Sequence, residues 1–176
     1  VPTVKVDGTS TTLSMDERGQ VHVYSRNWEL DSMSSSMQLA KRFQLDKMLR
    51  PGMAVQFELC GPGIQSNRLK LPAQRPFVFA VWKDHHKIDR DQWPTGMPNL
   101  AVPELDENEW ALTGSVDDMI AKVDGLRGNV TKDRLDEGIV WHLHEDQQLS
   151  EGLANELGAN RCFKIINNKY LTKNGL

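Results

Sequence analysis

Lys5-Val6-Asp7-Gly8 sets a primary amine two residues from a carboxylate and then breaks the chain with glycine. If residues 3–8 form a strand with Val4 and Val6 turned inward, Lys5 and Asp7 share the other face. A deprotonated amine is a nucleophile, and a carboxylate is a ligand for a hard cation. Lysine side chains titrate near about 10.4, and a neighbouring carboxylate alone favours the inert ammonium. A divalent metal held by Asp7 and other acids reverses that bias, because its charge outweighs theirs. Glu58 and Glu137, each at a strand end beside glycine-bearing sequence, are the natural companions of Asp7 in such a set. Taken singly, the same residues read as a surface strand entering an Asp-Gly turn and two acids facing water.

The elements that must position these residues are mostly strands. Residues 3–8, 10–15 and 20–26 have strand patterning, with Asp16-Glu17-Arg18-Gly19 as a hairpin turn. Over residues 32–49, Met33, Met37, Leu39, Ala40, Phe43, Leu45, Met48 and Leu49 predict one helix with a broad apolar face, stopped by Pro51-Gly52. Residues 55–59 and 77–82 predict apolar strands, 92–104 a proline-rich loop, 116–123 a helix, and 138–143 and 162–166 two further strands. This is an α+β pattern of antiparallel sheets flanked by helices.

Four further stretches follow Lys5 in order: Ser25-Arg26-Asn27, Phe57-Glu58, Glu137-Gly138-Ile139-Val140 and Phe163-Lys164. The set resembles the covalent nucleotidyltransferase superfamily of ATP-dependent RNA ligases, ATP-dependent DNA ligases and capping enzymes, from Lys5 to Leu171. The stretches Phe57-Glu58-Leu59-Cys60-Gly61-Pro62-Gly63-Ile64-Gln65-Ser66-Asn67 and Phe163-Lys164-Ile165-Ile166-Asn167-Asn168-Lys169-Tyr170-Leu171 look most like RNA ligases. The resemblance implies an ATP-grasp-like ligase adenylylation domain over residues 1–176, part of a longer chain with an upstream OB-type domain, as in nick-sealing RNA ligases. It implies ATP with Mg2+ or Mn2+, and RNA ends in a nicked duplex as the partner of a monomeric enzyme.

The resemblance also implies roles. Lys5 takes AMP from ATP, and Lys164 aims positive charge at the transferring phosphate. Val6, Arg26, Glu58, Phe79 and Glu137 complete the nucleotide site, and Asp7, Glu58 and Glu137 hold metal. Arg26 grips a phosphate of ATP or of the RNA end, Phe79 stacks on adenine, and Glu58 meets ribose hydroxyls or metal-bound water. On simple alternation Phe77, Phe79 and Val81 share one strand face, so core packing competes for Phe79. Gln65 and Asn67 contact the end being joined or belong to a plain polar loop. One position departs from the pattern: where the family has a second lysine two residues after Lys164, this chain has Ile166, and parity turns Lys169 the other way from Lys164, Ile166 and Asn168. The alternatives are a DNA ligase, a GTP-using capping enzyme, or an RNA-end or nucleotide binding module with impaired catalysis.

Composition bounds these readings. The chain has 176 residues, 39% hydrophobic and 26% charged, which suits one soluble globular domain. A net charge of −3 excludes a general positive surface, so any nucleic-acid contact must be local. Lys41, Arg42, Lys47 and Arg50 read as a solvated helix face, whereas Arg161, Lys164, Lys169 and Lys173 adjoin the last motif. Cys60 and Cys162 lack zinc spacing and read as buried free thiols. His142 with His144 and His85 with His86 lack a third ligand and read as structural or surface residues. Trp28, Trp141 and the other tryptophans read as packing rather than base-stacking residues. No sequence run suits a signal peptide or membrane span, so a soluble, cytoplasmic protein is expected.

Overall fold

A computed structural model describes residues 1–112, 114–143, 151–157 and 162–176. The chain divides into two compact units, Asp7–Ala101 and Val1–Val6 with Val102–Leu176. It opens with β1 (Pro2–Lys5) of the second of these units and enters the first at Asp7. β1 therefore stops at Lys5, short of the expected strand over residues 3–8, and Asp7 does not continue the Lys5 strand.

The Asp7–Ala101 unit is an antiparallel sheet with two helices. β2 (Thr9–Met15), β3 (Val21–Tyr24) and β4 (Glu29–Leu30) precede α1 (Ser35–Arg42) and α2 (Leu45–Met48), and β5 (Met53–Cys60), β6 (Arg75–Lys83) and β7 (His86–Ile88) follow. The sheet order is β4-β3-β2-β5-β6-β7. Its core gathers Leu13, Val55, Phe57, Val78 and Val81 with Met37, Ala40, Leu45 and Leu49 of the helical segment. The single helix expected over 32–49 is broken, because Gln44 adopts a left-handed conformation at φ 58°. In an unbroken helix Leu45 would stand about 140° round from Ala40. The break brings Leu45 and Leu49 back onto the apolar face with Ala40, and all three are buried. Lys41, Arg42, Lys47 and Arg50 are exposed around it.

Strand parity also fails in β6. Gln56 pairs with Ala80 and Phe57 with Val78, so Phe79 is the extra residue of a β-bulge. The bulge puts Val78 and Val81 on the core side and sets Phe77 opposite Glu58, which overturns the expected common face of Phe77, Phe79 and Val81. Phe77 is buried and Phe79 only partly so.

The other unit joins β1 to α3 (Val116–Val123), β8 (Gly138–His142), α4 (Glu151–Leu157), β9 (Cys162–Ile166) and α5 (Asn168–Asn174). Its antiparallel sheet has the order β1-β8-β9. One face packs Ile139, Trp141 and Ile165 against Trp110, Met119 and Val123. Ser115 caps α3 by a reciprocal box with Asp118. β9 ends at Ile166 and α5 begins at Asn168, so the expected strand parity of Asn168 and Lys169 does not apply. Cys60 is buried as expected, but Cys162, at the start of β9, is exposed. Among the described residues no helix is long and apolar enough to cross a membrane.

Candidate active site

Lys5 is the last residue of β1 and lies in register with Gly138 of β8, which in turn faces Ile166 of β9. Residues directly opposite in a ladder share a sheet face. Lys5 and Ile166 therefore emerge on one side, and the Thr3, Val140 and Lys164 row emerges on that side too. Val4, Ile139 and Ile165 turn to the core side and are buried. Gly138 is required in this row, since a Cβ there would collide with the Ile165 carbonyl oxygen.

Lys5 Nζ donates to Glu137 Oε2 at 2.5 Å, with the lysine 22% and the glutamate 14% exposed. Glu137 is held from both sides by buried polar residues that sequence reasoning missed. The Asn167 amide N–H donates to the Glu137 carbonyl at 2.8 Å. The fully buried Asn167 side chain donates through Nδ2 to the carbonyls of Leu126 and Asp136, each at 3.0 Å. Its Oδ1 accepts from the amides of Gly125, Lys169 and Tyr170. The buried Asp136 carboxylate accepts from Asn129 N, Asn129 Nδ2 and Val130 N. These bonds satisfy polar groups that would be costly to leave unpaired in the interior, and they fix the backbone beside Glu137. Lys164 is exposed and makes no hydrogen bond or ion pair among the described residues. Lys169 pairs with Asp124 at 3.2 Å.

In the Asp7–Ala101 unit, Asp7 Oδ2 accepts from Arg68 Nη1 at 2.7 Å, with the two side chains 15% and 19% exposed. Arg68 is a third residue that sequence reasoning missed; it sits just beyond the polar stretch ending at Asn67. Gln65, Ser66 and Asn67 all have positive φ, at 42°, 59° and 47°. Such a run of non-glycine residues in left-handed backbone is strained. Asn67 stabilises it by accepting from the Leu71 amide and donating to the Leu71 carbonyl, each at 3.0 Å. Gly8, directly after Asp7, admits no side chain, because a Cβ would collide with the Leu59 carbonyl oxygen. Cys60 Sγ lies 3.4 Å from the Asp7 carbonyl oxygen.

The remaining expected residues occupy distinct places. Glu58 is half-buried on β5, in register with Ser10 and Phe77. Arg26 lies beyond the end of β3, exposed at a hairpin tip rather than on a strand. Val6 is buried. His85 and His86 are exposed, and His142 exchanges backbone bonds with Val1, while His144 and Arg161 lie outside the described residues. Carboxylate oxygens suit Mg2+ or Mn2+ in kind. Among the described residues no group of three or more metal-ligating side chains gathers, and Asp7 and Glu137 are each held by a cation of the protein.

The RNA ligase family model matches residues 1–166, and the chain belongs to that family. It is similar to solved structures of the Naegleria gruberi RNA ligase. A lysine-to-alanine variant solved with ATP and Mn is 25% identical with a TM-score of 0.75, over 99% of this chain and 50% of that one. A lysine-to-methionine variant with AMP and Mn is 25% identical with a TM-score of 0.74, and the form with PPi is 26% identical with a TM-score of 0.73; each match covers 98% of this chain and 50% of the other. The chain thus spans about half the length of these relatives. No curated protein matches it.

Proposed function

We propose that this chain is the adenylyl-transferring part of an ATP-dependent RNA ligase that joins 3′-hydroxyl and 5′-phosphate ends at nicks. The observation that carries the reading is the Lys5–Glu137 pair at 2.5 Å on the strand ends of an RNA ligase family member. An ammonium ion-paired to a carboxylate is not a nucleophile, so the pair must open as the reaction begins. Once Lys5 Nζ has released its proton to solvent, its lone pair attacks the α-phosphorus of ATP. The bond from phosphorus to the pyrophosphate oxygen breaks, pyrophosphate leaves with the electron pair, and AMP remains on Lys5. The 5′-phosphate of the RNA next displaces Lys5, and the 3′-hydroxyl finally displaces AMP. Negative charge develops on the same phosphate in each step, and Lys164, on the Lys5 face of the sheet, offers it a cation. Arg26 binds a phosphate, Phe79 meets the adenine face, and Glu58 contacts ribose. A divalent metal, when bound, would supply charge that favours the neutral amine, with Glu137 the carboxylate beside Lys5 that would hold it.

Full-length protein given labelled ATP with Mg2+ or Mn2+ should form a phosphoramidate on Lys5, and Lys5→Ala should lose it by at least about a thousandfold. Lys5→Ala should still seal a pre-adenylylated RNA end. AMP mapped by mass spectrometry to another lysine would falsify the assignment, and labelling by GTP instead of ATP would favour capping. Sealing of all-DNA nicks in preference to RNA 3′ ends would make the chain a DNA ligase.

A further inference from the structure

We infer that Trp28 is a stacking platform for a nucleobase of the RNA, a contact that rests on the RNA ligase reading and adds a residue to it. Trp28 is 75% exposed, whereas Trp93, Trp110 and Trp141 are 8%, 8% and 3% exposed. Of the expected core or interface packing, the core half is overturned for Trp28, while Trp141 does pack in a core. Exposure of a whole indole on a loose segment would carry little meaning, but the backbone that carries this one is hydrogen-bonded into a turn. Ser25 N donates to the Trp28 carbonyl at 2.8 Å, Trp28 N donates to Ser25 Oγ at 3.1 Å, and Ser25 Oγ donates to the Trp28 carbonyl at 3.1 Å. These bonds close a hairpin between β3 and β4 whose two tip residues, Arg26 and Asn27, are both exposed.

One rigid turn thus presents an apolar ring, a guanidinium and a carboxamide to solvent. The combination matches the parts of a nucleotide: a base face for stacking, a phosphate for the guanidinium, and a base edge for the amide. An apolar protein partner would have no use for Arg26 and Asn27, whereas stacking tolerates any base and needs no general positive surface. That tolerance suits a chain of net charge −3, whose contacts with RNA must be local. With the backbone of Trp28 already fixed, only the rotation of its side chain is lost when a base lands on the ring.

The test uses the full-length protein, with binding of a fluorescently labelled nicked RNA duplex measured by anisotropy in the absence of ATP. Trp28→Ala should weaken binding about tenfold, Trp28→Phe should stay within about threefold of wild type, and Trp28→Leu should resemble alanine. 2-Aminopurine placed in turn on either side of the nick should be quenched by wild type at one position and released by Trp28→Ala. RNA affinity of Trp28→Ala within twofold of wild type, at an unchanged melting temperature, overturns the proposal. So does full retention by Trp28→Leu, which would indicate a generic apolar contact. A tenfold rise in the ATP concentration needed to label Lys5, without loss of RNA affinity, overturns it by assigning the stacked base to ATP. Absence of any Lys5 label in the wild type would instead defeat the ligase reading, and is thereby told apart from a failure at Trp28.

Discussion

Among the described residues, a partly buried acid–base pair is found in each of the two compact units, and the two pairs are positioned by different means. Lys5 and Glu137 are brought together by strand register, since Lys5 pairs with Gly138 across β1 and β8. Asp7 and Arg68 are brought together by a loop whose preceding three residues all sit in left-handed backbone. Register fixes a pair through many hydrogen bonds at once, and its local geometry changes only if the strands part. A strained loop holds its pair through a few contacts, and the strain favours release. The proposed nucleophile therefore sits on the stiffer of the two supports, and the Asp7 carboxylate sits on the softer one.

The largest effect should come from breaking the stiff support. Asn167 satisfies five backbone groups through its side chain while fully buried. Asn167→Leu should lose about 2–4 kcal/mol in urea unfolding, and Asn167→Asp, which keeps the acceptor and loses both donors, should fall between. Lys5 labelling should drop in step with the displacement of Glu137. A leucine variant as stable as wild type would show that register alone, without the buried amide, holds the site. On the loop side, Arg68→Ala should be milder. A double-mutant cycle of Arg68→Ala with Asp7→Asn should give a coupling of about 1–2 kcal/mol in stability. A coupling near zero would remove the loop-held pair from the comparison.

The difference in support also explains what the sequence disclosed. Lys5 and Lys164 lie on strands, and Glu137 directly before one, whose alternation and glycines are visible in the residues themselves, and β9 and α3 have the expected bounds of 162–166 and 116–123. Arg68 carries no such signal, because its meeting with Asp7 depends on the path of a loop 61 residues away in sequence. Asn167 and Asp136 read as ordinary polar residues, since burial of a hydrogen-bonded side chain leaves no periodic mark. A one-residue bulge reversed the parity inferred for Phe77, and a single left-handed Gln44 split a helix that periodicity alone had made continuous. β4 and β7 are too short, at two and three residues, to display an alternation.

A smaller effect is expected where the strand-held face departs from its family pattern. Ile166 is half-buried and lies in the Lys5–Gly138 row, with no side chain at Gly138 to separate the two. Two strand spacings put the Lys5 and Ile166 backbones about 10 Å apart. A lysine at 166 needs no burial in the apolar core, which lies on the opposite face. Ile166→Lys should leave single-turnover labelling of Lys5 unchanged or raise it by up to about threefold, whereas Lys164→Ala should slow it. A sharp loss in Ile166→Lys, with the protein still folded, would mean that Ile166 packs where a charge is not tolerated.

The smallest effect concerns an exposed pair, and it tests whether partial burial matters to the other two. His22 Nδ1 lies 2.8 Å from Glu29 Oε1 across β3 and β4, and Nε2 lies 3.5 Å from Asp16 Oδ2. The Glu29 carboxylate is the main cause that raises the His22 pKa above the usual 6.5, with Asp16 adding to it and desolvation opposing. Asp16 is lowered, first by the Gln20 amide that bonds its carboxylate. A raised histidine stabilises the fold fully below its unfolded pKa, and the contribution fades as pH rises through the folded value. NMR titration of His22 should therefore give a midpoint above 6.5, and Glu29→Gln should bring it down. The accompanying change in melting temperature across that window should be small, because solvent screens an exposed pair. A loss of stability on Glu29→Gln as large as that on Arg68→Ala would show that partial burial adds nothing to the Asp7–Arg68 pair, and strand against loop would then be the only distinction left between the two units.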